Sequence, residues 1–465
     1  IMPRSIVVAL LDNGIDTSHE DLVSVLWENR SEIAGNRLDD DKNGYVDDIH
    51  GWNFLGGMSG DVTIITSEWT RVYWRYKTKY DGVSIDTSLL SPYQKYEYEL
   101  WVKARSGIVG SAPSKGHLDT MSNYVGNVDF CDSIIQLILN KSVYDKATLA
   151  SWMPAQERQI ALKEYMLGVF ELFNTDDLNS VTIVRELKNY LAGEELKAMN
   201  EKVAPIDNRH TLTGNDDTNP GTFTYGNNNI WAGETFHGTH VAGIVGAERK
   251  NGKGIDGIAD AARLMSIRVT AIGDEYDKDI AAGIRYATDN GARVINMSFG
   301  KSLSPDKRMI DDAVKYAANK DVLIIHGAGN SARDINGYNN FPNPRFLCSD
   351  SVASNWITVG ASDCNGNMAS FSNYGDKIVD LFAPGVSIYS TMSGEVPYGT
   401  LDGTSMASPM VAGVAALLRS YFPSLTAAET KKIIVKSVTI PIQLNDSTSN
   451  EQKGLANRCV SGGIV

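Results

Sequence analysis

Gly403-Thr404-Ser405-Met406-Ala407-Ser408-Pro409, running on into the apolar stretch Met410 to Leu418, decides how the rest of the chain is read. A turn of small residues that opens into a helix presents a hydroxyl to solvent, with the free backbone N–H groups of the first turn beside it. Val411, Val414, Ala415 and Leu418 recur at helical spacing and predict a helix anchored in a core. Pro409 is expected in its first turn, where a missing N–H is no loss. Ser405 therefore reads in two ways: as the common Ser/Thr cap of a core helix, or as a nucleophile held at a helix start.

Working outward from this stretch, residues 5–11 form a short apolar, β-branched run that ends at Asp12-Asn13-Gly14. Similar runs recur at 264–269, 294–299, 322–326, 356–359 and 378–382. Helical patterns lie between them, carried by Ile280, Ile284 and Ala287, then by Met309, Ala313, Tyr316 and Ala317. Strands apolar on both faces that alternate with helices predict an α/β fold with a doubly wound, mainly parallel sheet. Ligands of such sheets bind at the carboxyl ends of the strands. Asp12, Ser298 and Asn330 fall there.

Residues 57–205 break the rhythm. Leu162, Tyr165, Met166, Val169, Phe170 and Phe173 follow a helical period, Val184, Leu187 and Leu191 continue it, and an earlier helix is expected around Tyr93, Tyr96, Leu100, Trp101 and Ala104. The segment reads as an inserted, mainly α-helical subdomain whose aromatics build a core of its own. It divides a main domain of residues 1–56 and 206–465, to which a loop rich in Asn, Gly, Asp and Thr at 207–233 returns the chain.

The composition is that of a globular protein, 42% hydrophobic and 21% charged, with a formal net charge of -13. That acidity speaks against nucleic acid and anionic membrane as partners, because both require clustered positive charge. No apolar run reaches the ~18 residues of a membrane span. Cys131, Cys348, Cys364 and Cys459 match neither a disulfide framework nor a zinc pattern. Buried free thiols are expected, with a Cys348 to Cys364 bridge as the alternative in an oxidising compartment.

Phe236-His237-Gly238-Thr239-His240-Val241-Ala242-Gly243 is the second informative motif. Its small residues allow close packing, and an imidazole at a helix start is placed to serve as general base. The two histidines are three apart with no glutamate between them, which argues against the zinc metalloprotease pattern. His326 reads as structural. Asp16 is a second carboxylate near Asp12, but it lies beyond the Gly14 turn and reads as structural or solvated.

Taken together, Val8-Ala9-Leu10-Leu11-Asp12-Asn13-Gly14-Ile15-Asp16, His237 to Gly243 and Gly403 to Pro409 resemble the three motif blocks of the subtilisin-like serine endopeptidases (subtilase family, peptidase family S8), in that family's order. The resemblance covers about residues 1–56 and 206–465. It implies that Ser405 is the nucleophile, His237 the general base and Asp12 the carboxylate that orients the imidazole. Gly327-Ala328-Gly329-Asn330 resembles the block ending in the oxyanion-hole asparagine, so Asn330 is expected to donate to the developing oxyanion. Ser298, Phe299 and Gly300 resemble the edge segment that takes the substrate as an added strand, and Gly327, Ala328 and Gly329 the facing wall of the S1 pocket.

The implied function is hydrolysis of peptide bonds in peptide or protein substrates through an acyl-enzyme, with no cofactor required for the chemistry. The resemblance also implies a secreted, periplasmic or surface location and an N-terminal propeptide that has been removed. Asp12 comes early and the chain stops at Val465, where the family runs into one more helix, so processing at both ends is expected. Two rivals share these residues: an inactive peptide-binding pseudoprotease, and an acyl-transfer variant such as a peptide ligase or macrocyclase. The insertion, spliced between the aspartate and histidine segments, is expected to border the substrate groove.

Asp39-Asp40-Asp41-Lys42-Asn43-Gly44-Tyr45-Val46-Asp47-Asp48 follows the ligand spacing of a calcium loop. Oxygens of Asp39, Asp41, Asn43, the Tyr45 carbonyl and Asp47 fall at positions 1, 3, 5, 7 and 9, and Gly44 at the turn, while His50 stands where a bidentate glutamate is usual. The two readings are a structural calcium site and a solvated acidic turn. The loop after the histidine motif, Lys250-Asn251-Gly252-Lys253-Gly254-Ile255, is too poor in carboxylates to resemble the family's other calcium loop.

Overall fold

The computed structural model describes residues 2–110, 113–173, 178–206, 208–215, 219, 221–337, 340–441 and 455–465. They divide into two compact units, one of residues 1–68, 84–100 and 206–465 and one of 69–83 and 101–205.

The first unit is built on a seven-stranded sheet in the order Gly51–Asn53, Ala262–Arg268, Ile6–Asp12, Ala292–Met297, Leu323–Gly327, Trp356–Ser362 and Leu381–Pro384. Every neighbouring pair is parallel. The α/β sheet is thus the one expected, although strand ends move by up to three residues and the short edge strand Gly51–Asn53 carries no apolar run that would announce it.

Ile6–Asp12 shows why the sheet is covered on both sides. Ile6, Val8 and Leu10 join one apolar cluster and Ala9 and Leu11 the other, as the two-residue period of a strand requires. The helices Phe236–Gly246 and Thr404–Tyr421 lie on the first face, with Val241, Val245, Met406, Val411 and Ala415 in that cluster. Asp277–Asp289 and Lys307–Asn319 cover the second face through Ile280, Ile284, Ile310 and Val314. The helices bearing His237 and Ser405 therefore share one face of the sheet, at the end where its strands finish.

Main-chain contacts of Thr63 and Ile65 with Ile272, and a hydrogen bond from Tyr96 Oη to the Ser304 carbonyl at 2.8 Å, hold residues 57–68 and 84–100 in the first unit. The second unit is helical. Lys115–Leu139, Glu157–Leu172 and Ser180–Lys202 enclose Val128, Ile135, Tyr144, Met166, Val169, Phe170 and Ile183. Among the described residues no helix is long and apolar enough to cross a membrane.

Two expectations are corrected here. Pro409 is the sixth residue of Thr404–Tyr421 and not a first-turn residue, because the helix already begins at Thr404. The four cysteines are free, and only Cys459 is buried; Cys348 and Cys364 are exposed and unbridged. Both sit in surface loops, outside the apolar runs that would have buried them.

Candidate active site

The carboxylate comes from the last residue of Ile6–Asp12. Asp12 is 3% exposed, and its Oδ1 accepts from the Asn13 backbone at 2.8 Å and from His237 Nδ1 at 2.8 Å. Protonation of Nδ1 in this contact leaves Nε2 of the neutral ring as the basic nitrogen. A second tie joins the two segments, since the Gly238 N–H donates to Asn13 Oδ1 at 2.9 Å. Gly14 makes the approach possible: its φ is +109°, and a Cβ there would lie 2.2 Å from the Ile230 carbonyl oxygen.

Ser405 is the second residue of its helix, reached from Gly403, whose φ of +153° turns the chain into it. Its Oγ donates to the Ser298 carbonyl at 2.9 Å, and Ser298 Oγ donates to the Ser405 carbonyl, also at 2.9 Å. Asn330 Oδ1 accepts from the Thr404 N–H at 2.9 Å and from Thr404 Oγ1 at 2.8 Å. With the carboxamide oxygen so engaged, its Nδ2 is the group left to donate, and it lies 3.3 Å from where a Cβ on Gly403 would stand. Thr404 Oγ1 also accepts from the Gly329 N–H at 3.0 Å.

The segment 298–300 and the segment 327–329 face a common residue. Asn340 Nδ2 donates to the Gly327 carbonyl at 3.3 Å and the Ala328 carbonyl at 3.0 Å, and its side chain would be 2.6 Å from a Cβ on Gly300. The Phe299 carbonyl accepts from His326 Nε2 at 2.8 Å. His326 and His240 are buried, and burial pushes each imidazole down to about 4. His240 Nε2 bonds the Gly399 carbonyl at 3.2 Å. Asp16 caps its own turn, its Oδ1 accepting from Ser18 N and Oγ at 2.9 and 2.8 Å.

Asn13, Asn340 and Thr404 orient these residues and were not singled out from the sequence. Each acts through contacts outside its own motif, and nothing local marks Asn13 or Asn340. Thr404 alone had a usable signal, as the hydroxyl directly preceding Ser405.

In the acidic loop, one oxygen each of Glu32, Asp39 and Asp41 lie within 4.8 Å of one another. Asp39 accepts from the N–H groups of Asn43 and Gly44, and Asn43 Oδ1 from that of Tyr45. Asp47 Oδ2 accepts from the Arg37 N–H at 2.9 Å, while its Oδ1 is buried with no hydrogen-bond partner among the described residues. Burial raises neighbouring Asp48 to about 6. The Tyr45 ring packs against Trp52 and Tyr286, and His50, whose Nδ1 bonds the Trp27 carbonyl at 2.8 Å, is not among the three converging groups. Glu32 supplies a carboxylate that loop spacing alone does not predict. Of the carboxylates read as ligands from the spacing, this group contains Asp39 and Asp41 but not Asp47; three converging carboxylates suit a hard divalent cation.

The family model described as Subtilase family matches residues 4–462. The chain is 45% identical over 185 residues to a "Thermophilic serine proteinase" of Bacillus sp. (strain AK1), covering 40% of this chain and 42% of that protein. It is 42% identical over 185 residues to thermitase of Thermoactinomyces vulgaris, covering 40% and 61%. Over 250 residues it is 37% identical to subtilisin DY of Bacillus licheniformis, covering 52% and 85%. The chain thus spans 42% and 61% of the length of the first two of these relatives.

Proposed function

The chain belongs to the subtilase family, and from that premise we propose that it is a serine endopeptidase acting through an acyl-enzyme. Ser405 Oγ attacks the peptide carbonyl and His237 Nε2 takes its proton. Asp12 holds the imidazole by Nδ1 and stabilises its cation. Asn330 Nδ2 and the Ser405 N–H receive the oxyanion. The substrate backbone adds as a strand along residues 298–300, with residues 327–329 opposite, and water releases the acyl group. Residues 1–56 and 206–465 form the catalytic part in this reading, and 57–205 an insertion.

The observation that supports it most is the 2.8 Å hydrogen bond between His237 Nδ1 and a 3%-exposed Asp12 carboxylate. A buried carboxylate that fixes one imidazole tautomer is what general-base activation of a serine requires. The test is labelling with a fluorophosphonate, located by peptide mass mapping, on the wild type and His237→Ala. Stoichiometric labelling at Ser405 that collapses in the variant is expected. Labelling elsewhere, or unchanged without His237, overturns the assignment.

Calcium is the group that best fits Glu32, Asp39 and Asp41, with oxygens of Asn43, Tyr45 and Asp47 nearby in sequence to complete a shell. It would neutralise the carboxylates and fix the loop, with no part in the chemistry. Action outside the cytoplasm, on extended peptide segments, accords with the family and with this ion.

A further inference from the structure

In an α-helix the carbonyl of Ser405 would accept from the N–H of residue 409. That residue is a proline inside the helix and has no N–H. The side chain of Ser298 supplies the missing donor, its Oγ standing 2.9 Å from the Ser405 carbonyl oxygen. Ser298 Oγ in turn accepts from Asn296 Nδ2 at 2.9 Å, and Asn296 Oδ1 accepts from Ser408 Oγ at 2.5 Å. All three side chains are buried: Asn296 and Ser408 are 0% exposed and Ser298 3%.

The direction of this chain is fixed. Because Asn296 Nδ2 donates to Ser298 Oγ, the one hydroxyl proton of Ser298 is committed to the Ser405 carbonyl. Asn296 and Ser298 are two residues apart at the end of a strand, so both point to the face that carries the Ser405 helix. The Ser405 hydroxyl closes the loop by donating back to the Ser298 carbonyl at 2.9 Å. A helical bond would have tied the Ser405 peptide to its own helix. The bond from Ser298 ties it to the segment that the substrate is to line.

We propose that Ser298, set by Asn296 and Ser408, is a positioning residue that orients the Ser405 peptide and registers the nucleophile against the substrate-binding edge, in place of the helical bond that Pro409 cannot make. This rests on the reading of Ser405 as nucleophile. The Ser298 main chain, which would bind substrate, remains when its hydroxyl is removed, so the loss falls on kcat and not on KM.

The test is a double-mutant cycle of Ser298→Ala with Pro409→Ala, with Ser298→Thr alongside. It is read as kcat and KM on a peptide amide, the rate of fluorophosphonate labelling at Ser405, and Tm. Ser298→Ala is expected to lower kcat and labelling rate roughly 10–100-fold, the scale of a misplaced reacting group, with KM within about threefold. In the Pro409→Ala background, where an N–H again faces the Ser405 carbonyl, the same change should cost less than about threefold. Ser298→Thr keeps the hydroxyl and should retain most activity, whereas a mere packing role would make the larger threonine the worse variant.

Equal losses in both backgrounds, or a threonine variant as impaired as the alanine one, overturn the proposal. If Pro409→Ala does not fold, the Ala and Thr comparison with its kcat and KM split decides. A wild type that does not label at Ser405 defeats the underlying assignment instead, and so separates the two failures.

Discussion

Gly238 stands so close to Gly14 that a Cβ on it would lie 2.2 Å from the Gly14 carbonyl oxygen and 3.2 Å from Asp12 Cβ. The obstructing atom is backbone and cannot swing aside. The histidine helix therefore docks on the aspartate strand only because residue 238 has no side chain. Gly238→Ala must push His237 away from Asp12, lengthening a 2.8 Å contact. We expect kcat/KM to fall by about 100-fold, since a displacement near 1 Å has that scale. Peptide hydrolysis measured beside Tm checks this, and near-wild-type activity would show that the helix can shift without consequence.

Asp12→Asn removes the charge and keeps the shape. An amide can donate to Nδ1 and so favour the wrong tautomer, leaving Nε2 protonated and unable to take the Ser405 proton. A fall in kcat of about 10³–10⁴-fold is expected with KM little changed. Circular dichroism and Tm near those of the wild type would locate the loss in the chemistry.

In the proposed mechanism Asn330 carries two tasks on one carboxamide: Oδ1 holds Thr404, and Nδ2 donates to the oxyanion. Asn330→Ala removes both. Asn330→Asp keeps the acceptors for Thr404 and replaces the donor with a negative charge. If donation is what matters, both variants lose about 10²–10³-fold in kcat, with aspartate the worse. An aspartate variant near wild-type activity would assign Asn330 to holding Thr404 alone.

The sheet and the three motif blocks could be read from the sequence because each is a local pattern: a β-branched run ending in Asp12, a small-residue helix start at His237, a small-residue turn at Ser405. What could not be read depends on partners distant in the chain. A proline in the second turn of a helix is not readable from local pattern, because the donor that stands in for its missing N–H, Ser298, lies 107 positions before Ser405. The acidic loop gave Asp39 and Asp41 by spacing, but Glu32 enters from outside the repeat. The 25-residue helix Lys115–Leu139 has no clear apolar stripe in sequence, because Phe130, Leu137 and Ile138 are exposed and Asp132 lies among its buried residues.

Glu32→Gln tests the cation reading. A ligand that binds only the folded state stabilises it by RT ln(1 + [L]/Kd), about 2.7 kcal/mol at a hundredfold excess over Kd. Tm of the wild type should rise with calcium over chelator, and the rise should shrink sharply in the variant. Magnesium, which resists such irregular oxygen shells, should give little. Equal Tm with calcium and chelator would leave the loop as a solvated acidic turn.

Acid should destabilise the fold through two histidines that take no part in the proposed chemistry. His240 and His326 are held near 4 by burial, against an unfolded value of about 6.5. Both are neutral in the fold while the unfolded chain protonates, so their contribution is complete above pH 6.5 and is lost as pH falls from 6.5 towards 4. The loss amounts to roughly 3 kcal/mol each. Asp48, raised to about 6, works against them in the same window, because the fold retains a proton that the unfolded carboxyl releases near 3.8. Burial raises Asp132 and Asp277 as well, and both work in the same sense as Asp48, so the histidine contribution is read by substitution and not from the net change of Tm with pH. His326→Gln can still donate to the Phe299 carbonyl but cannot titrate. It should bind about one proton fewer on unfolding near pH 5.3, seen as a shallower dependence of stability on pH. An unchanged slope would mean that His326 is protonated in the folded protein, against the apolar burial that surrounds it.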